Sequence, residues 1–344
     1  MNKNDEIKAI YDALQDEESR FIFGRRILYS LTQDETYIRD IVNRIPEVRW
    51  LKAEIMRSHE NFVFGAGGYG KVVRQLAPSY WKGILDNDNR KWGGDCDGVP
   101  IFSPDTILQH PDARVFLAVR RFGKKYHLEI AKQLEEMGVD SARVIRVDRD
   151  VIERLEQKQY FDLPALSHDA EETFVDAGSY DGMTSVRFAE WAGQYRKIFA
   201  FEPEQTFHKK CEATLQYLSA DRAAAFPFGT WKESGELRFT KDGIECGHVD
   251  DGGEIRVPVT SIDEACRGER ITYIKMDVEG AELETLVGAQ QTIRAYHPKL
   301  AICLYHKPQD IVDLPAYVLE LDSTYQFYIR HYGLEQCETI LYAI

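Results

Sequence analysis

Twice along this chain a short apolar run ends in a glycine-rich loop that opens into a helix-patterned stretch. The first instance is Phe62-Val63-Phe64 running into Gly65-Ala66-Gly67-Gly68-Tyr69-Gly70, with Val72, Val73 and Leu76 beginning the helix. The second is Thr173-Phe174-Val175-Asp176 running into Ala177-Gly178-Ser179-Tyr180-Asp181-Gly182. Further strands follow each loop. Ile84-Leu85, Val99-Pro100-Ile101, Val115 to Val119 and Val144 to Val147 follow the first; Ile198 to Glu202, Tyr273 to Met276 and Leu300 to Tyr305 follow the second. Strands alternating with helices imply parallel sheets covered by helices, so the fold class is α/β, with two such units in tandem.

Length agrees, since 344 residues exceed one ordinary core. The pattern predicts an N-terminal helical segment over 1–60, a smaller parallel α/β Rossmann-like domain over 61–148, a linker over 149–172 and a second α/β domain over 173–344. Ile7, Ile10, Tyr11 and Leu14 fall on one helical face. Such a face packs on the next domain or on a second subunit, which leaves a homo-oligomer open. The last two runs, around Tyr325 to His331 and Thr339 to Ile344, read as an antiparallel hairpin at a sheet edge.

The second loop has the spacing D-x-G-x-x-x-G rather than the G-x-G-x-x-G of pyrophosphate binders. Glycines at a strand-to-helix junction let the backbone turn sharply and approach a ligand. Glu202 ends the next strand, 26 positions after Asp176. A carboxylate there can accept hydrogen bonds from a ribose diol and would repel a 2′-phosphate. Together the two features point to an adenosyl ligand without phosphates.

Three blocks then carry a resemblance. Phe174 to Gly182, Phe199 to Pro203 and Ile274 to Glu282 look like the FkbM family of class I S-adenosylmethionine-dependent methyltransferases. Val259 to Asp263, Lys299 to His306 and Tyr328 to Ile344 fit as well. The resemblance implies a seven-stranded Rossmann-like sheet with its last strand antiparallel. It further implies S-adenosyl-L-methionine as cofactor and methyl transfer to the hydroxyl of a sugar, glycan, glycolipid or other polyhydroxylated metabolite. By the resemblance Asp176, Gly178 and Gly182 line the methionine end of the cofactor and Glu202 holds the ribose; Ser179, Tyr180 and Asp181 of the same loop, Pro203, and Asp277 and Glu279 after the fourth strand are further candidate cofactor residues. The adenine contact is left open, although Phe228-Gly229-Thr230-Trp231 occupies the corresponding strand end.

Open α/β sheets place ligands at the carboxyl ends of their strands. Asp277 and His306 both stand there and are the candidate catalytic residues, with His331 behind His306. A hydroxyl is a poor nucleophile until it begins to lose its proton, and a base adds about 10²–10⁴-fold. A histidine with an ordinary pKa of about 6.5 would let activity rise across roughly pH 6 to 8. Asp277 and Glu279 flank one residue, so on a continuing strand they would point to opposite faces. Glu282 reads as a first-turn acid that complements a helix dipole. The sequence predicts no metal.

The first loop matches G-x-G-x-x-G through Gly65, Gly67 and Gly70, with Gly68 between, and Asp86 lies 21 positions after Gly65. It resembles the small Rossmann-like domains in front of sugar-modifying enzymes, which implies a nucleotide or nucleotide-sugar site. Two other classes remain open. One is a nucleotide-sugar recognition module with an inert methyltransferase fold; the other is an NAD-dependent oxidoreductase acting through the first loop.

The formal net charge of −14 speaks against a partner of bare nucleic-acid backbone. Six scattered cysteines, Cys96, Cys211, Cys246, Cys266, Cys303 and Cys337, have no paired spacing. They read as reduced thiols of a cytoplasmic protein. No apolar run reaches the length of a membrane span.

Overall fold

A computed structural model describes residues 2–119, 126–218, 221–240, 248–249 and 255–344. Cys246 lies outside the described residues. The chain divides into two compact units. The smaller comprises 42–158 with 332–335, and the larger comprises 1–41, 159–331 and 336–344.

In the smaller unit six strands form one sheet: β1 (Asn61–Phe64), β2 (Trp81–Leu85), β3 (Asp95–Cys96), β4 (Val99–Phe102), β5 (Arg114–Leu117) and β6 (Val144–Arg146). Their order is β3-β4-β2-β1-β5-β6, parallel except for the short β3. Phe62, Phe64, Leu85, Val115 and Leu117 pack with Ile130 and Leu134 of the helix Tyr126–Glu136. Each large apolar side chain fully buried this way contributes about 1.5–3 kcal/mol.

The larger unit begins its sheets with β7 (Thr173–Ala177), β8 (Lys197–Phe201) and β9 (Ala223–Phe226). Four strands follow, β10 (Gly229–Thr230), β11 (Gly235–Thr240), β12 (His248–Val249) and β13 (Ile255–Thr260), and make a small sheet of their own. Next come β14 (Tyr273–Met276), β15 (Lys299–Cys303), β16 (Phe327–His331) and β17 (Thr339–Ala343). The main sheet has seven strands in the order β16-β17-β15-β14-β7-β8-β9. β17 runs antiparallel to both neighbours. The strand order reverses between β7 and β14, so loops after those two strands lie side by side. Phe174 of β7 stacks on Phe188 at 4.3 Å, with Tyr273 edge-on to Phe174. This aromatic layer fixes the helix Met183–Ala192 against the sheet. The sheet around 229–260 went unassigned in the sequence, because its strands are short and lack a continuous apolar run.

The segment expected over 1–60 is divided between the units. The helices Lys3–Ala13 and Glu17–Thr32 belong to the larger one; the first packs on the helix Asp310–Leu321 and the second covers the edge strand β16. Ser19 Oγ accepts the Ile329 N–H at 2.9 Å, and the Gln15 N–H donates to the Phe327 carbonyl at 3.0 Å. Arg26 donates to the carbonyls of Gln336 at 2.6 Å and Leu304 at 3.3 Å. An amphipathic stripe shows that a helix packs, but not on what. The expected linker is also structural: Tyr160, Phe161, Leu163 and Leu166 are buried, and the larger unit resumes at Gln159.

Candidate active site

The loop after β7 is tied to both neighbouring strands. The N–H groups of Gly178 and Ser179 donate to the Phe201 carbonyl at 3.1 and 2.9 Å. Gly178 has φ +76°, and a Cβ there would lie 1.8 Å from the Asp277 carbonyl oxygen. Only glycine allows both the left-handed backbone and that approach. Gly182 (φ +82°) packs on Cys211, whose Sγ lies 3.3 Å from Ser179 Oγ. Tyr180, also at positive φ, places its half-exposed ring 4.1 Å from that of Phe207. The Met183 N–H donates to Asp181 at 3.1 Å, which secures the start of the helix.

Asp176 is fully buried and accepts a hydrogen bond from Ser185 Oγ at 2.8 Å. Its other oxygen pairs with Lys275 Nζ at 3.1 Å. The same ammonium donates to the carbonyls of Ala177 and Gly178. Burial opposes the charge on Lys275, but Asp176 and Asp277 hold its pKa above the ordinary value. Asp176 therefore braces the loop through a buried ion pair. Lys275 went unnoticed in the sequence, because a lysine inside an apolar strand has no spacing signature.

Glu202 stands just after β8, as its position in the sequence required. One oxygen accepts the Tyr180 N–H at 3.0 Å and the other the Glu204 N–H at 2.9 Å. Burial lifts its pKa to about 7 against those two bonds. Pro203 lies against Gly229, which brings the Phe228–Trp231 strand end beside Glu202.

Asp277 and Glu279 do not sit on a continuing strand. β14 ends at Met276, and positive φ at Glu279 and Gly280 turns the chain back. Both carboxylates thus come to one imidazole: His306 Nε2 lies 3.5 Å from Asp277 and 3.5 Å from Glu279. His306 Nδ1 is 2.8 Å from Glu282 Oε1, which also accepts the Val278 N–H at 3.0 Å. Glu282 is almost fully buried, so it is a partner of His306 and not merely a solvated helix-terminal charge. Burial disfavours the imidazolium, yet Glu282, Asp277 and Glu279 outweigh it and raise the His306 pKa to about 9. The ordinary histidine window expected from sequence is displaced by three carboxylates brought together only by folding.

Asp277 accepts from Tyr160 at 3.1 Å and from Tyr305 at 3.1 Å. Burial pushes its pKa up, but Lys275 and His306 prevail and hold it below the usual range. Tyr160, which the sequence places in the linker, and Tyr305 were not singled out as site residues. His331 is buried in the hairpin with Nδ1 2.8 Å from Thr339 Oγ1, on the other side of β17 from β15. Among the described residues no group of three His, Cys, Asp or Glu is arranged to hold a metal ion.

In the smaller unit Gly70 packs so tightly that a Cβ would lie 1.9 Å from the Gly65 carbonyl oxygen. Asp86 ends β2 as expected, but its carboxylate is engaged. It accepts the Ala66 N–H at 2.8 Å and the Asp88 N–H at 2.8 Å, and it pairs with Lys91 at 3.1 Å. Asp86 ties the glycine loop to the second strand.

The strand order, the antiparallel last strand and the loop at the point of reversal define a class I methyltransferase sheet. Residues 176–327 match the family model described as the methyltransferase FkbM domain. The match marks a methyltransferase domain. The chain is similar in fold to methyltransferase FkbM from Methylobacillus flagellatus KT, with 21% identity, 99% of each chain covered and a TM-score of 0.52. Looser likenesses include an rRNA methylase from Streptococcus thermophilus, at 18% identity over 51% of this chain and 86% of that one, TM-score 0.35. Another is Aeropyrum pernix fibrillarin with natively bound S-adenosylmethionine, at 11% identity over 56% and 74%, TM-score 0.36. No curated protein matches the chain.

Proposed function

We propose that the chain is an O-methyltransferase acting on a hydroxyl of a sugar, glycan, glycolipid or other polyhydroxylated metabolite. The observation that carries this is the His306 imidazole among Asp277, Glu279 and Glu282, next to the loop that Gly178 presses against Asp277. The residues present suit a cationic donor: carboxylates line the region, and its cations, Lys275 and His306, are each paired with them. Gly178 to Gly182 would face the methionine end of the donor and Glu202 the ribose diol, with Pro203 beside it. S-adenosylmethionine supplies the electrophilic methyl group and its own leaving group.

The protein then has two tasks. It aligns the acceptor, and positioning can be worth roughly 7–11 kcal/mol in well-oriented systems. It also receives the hydroxyl proton. Neutral His306 accepts that proton at Nε2 as the oxygen–methyl bond forms, while Glu282 on Nδ1 and Asp277 at Nε2 stabilise the resulting imidazolium. Tyr160 and Tyr305 orient Asp277 and remain protonated, burial raising both phenols. With a sulfonium bound beside these carboxylates, the His306 window would move down from about 9.

Incubation with methyl-labelled S-adenosylmethionine and a panel of glycosides, followed by mass analysis, tests the assignment. A methyl ether on a hydroxyl supports it; label only on nitrogen acceptors overturns it. For the smaller unit, the glycine loop supports the reading of a nucleotide-sugar site. The five described cysteines are free thiols, which supports a cytoplasmic protein. No helix among the described residues is long and apolar enough to cross a membrane.

A further inference from the structure

The smaller unit holds a cavity of about 220 Å³ lined by Ala66, Gly67, Gly68, Lys71, Arg74, Cys96 and Asp97. Its floor is the start of the helix Gly68–Leu76, capped by Gly67 without any side-chain hydrogen bond. The leading N–H groups of a helix have no intrahelical acceptor and favour an anion. Arg74, on the second turn of that helix, is only 5% exposed along its side chain. Its Nη1 is buried with no hydrogen-bond partner among the described residues, and Nη2 reaches only the exposed Asp97 at 3.6 Å. A buried guanidinium with an unsatisfied donor is costly unless an acceptor arrives.

The glycines separate structural need from ligand need. Gly65 and Gly70 have no room for a Cβ. At Gly67 and Gly68 a Cβ would meet nothing within 4 Å, and neither residue has a left-handed φ. Neither backbone strain nor packing asks for glycine at 67 or 68, and the space above both is open. Asp86 holds the loop and, unlike Glu202, has its charge balanced by a lysine, Lys91.

We propose that this cavity binds the diphosphate of a nucleotide. The Gly68–Leu76 helix start donates to one phosphoryl group, while Arg74 and Lys71 pair with its charge and displace Asp97. The proposal deepens the nucleotide-sugar reading of the smaller unit, on which it rests, by naming the phosphates as the recognised group.

Calorimetric titration of the full chain with pyrophosphate, UDP and uridine tests it. Pyrophosphate and UDP should both bind, weakening as salt rises, while uridine should not. Gly67→Val fills the cavity without straining the backbone and should weaken pyrophosphate and UDP at least tenfold with an unchanged melting temperature. Lys71→Gln should weaken both about three- to tenfold. The melting-temperature rise given by S-adenosylhomocysteine should be the same in both variants. Uridine binding as tightly as UDP would overturn the phosphate assignment while leaving the nucleotide reading standing. No binding of any of the three overturns both, and undiminished affinity in Gly67→Val overturns the site.

Discussion

The two glycine loops share a grammar and differ in what faces them. After β7, the loop meets Asp277 and Glu202, and its one buried ammonium, Lys275, is already paired. After β1, the loop meets the under-paired Arg74 and Lys71, and its one buried acid, Asp86, is already paired. A strand, a glycine turn and a helix start thus supply the same geometry at both places. The sign of the free charge around the loop decides whether the ligand is a cationic sulfonium or an anionic phosphate. The glycines record the same difference. Gly178 is demanded by the protein's own backbone, whereas Gly67 leaves open space.

The largest expected effect tests the acidic side. His306→Ala should lower kcat by about 10²–10⁴-fold with little change in donor affinity, in a methylation assay of folded protein. Equal turnover would mean that alignment suffices and would remove the chemical contrast between the loops. The pH profile sharpens the point. In the free enzyme His306 has a pKa of about 9, so kcat/KM should rise toward pH 9 and not level off near 7. Because this pKa is raised on folding, the stability His306 contributes is full below about 6.5 and is lost as pH rises through 9.

Gly178→Ala comes next. Its Cβ would collide with the Asp277 carbonyl at positive φ, so unfolding free energy should fall by about 2–4 kcal/mol in a denaturant titration. The same substitution at Gly67 should cost well under that, and equal costs would erase the distinction drawn between the two loops.

Glu202→Gln should weaken donor binding by about 1.5–3 kcal/mol, because hydrogen bonds to a charged acceptor are lost. The folded carboxyl titrates near 7, so donor affinity should increase with pH through that value and flatten above it. On its own this raised pKa reduces stability as pH climbs from about 4.5 to 7, since the unfolded carboxyl ionises first. Affinity independent of pH, measured calorimetrically between pH 6 and 8, would break the assignment of the ribose to Glu202.

The smallest effect lies away from both loops. Ser19→Ala leaves the Ile329 N–H without its acceptor and should cost about 1–3 kcal/mol in a thermal melt without altering donor affinity.

Much of the larger sheet was legible because its strands are apolar runs and its loops carry glycine at fixed offsets. Glu202, Asp277 and His306 could be placed at strand ends for the same reason. Lys275, Tyr160 and the coupling of Glu282 to His306 could not. Each depends on a contact across 24 to 117 positions, with no local period to announce it. The His306 window failed for that cause too, since three acids set it and only tertiary structure assembles them.

The covering of β16 by Glu17–Thr32 has a consequence for how the molecule is made. Ser19 meets Ile329 across 310 positions. At synthesis rates of about 5–20 residues per second, this helix waits roughly 15–60 s before its strand exists. In that interval Leu14, Ile22 and Phe23 have no strand to meet. The docking of this early-made helix is therefore a long-range closure that must wait for residue 329 to be made.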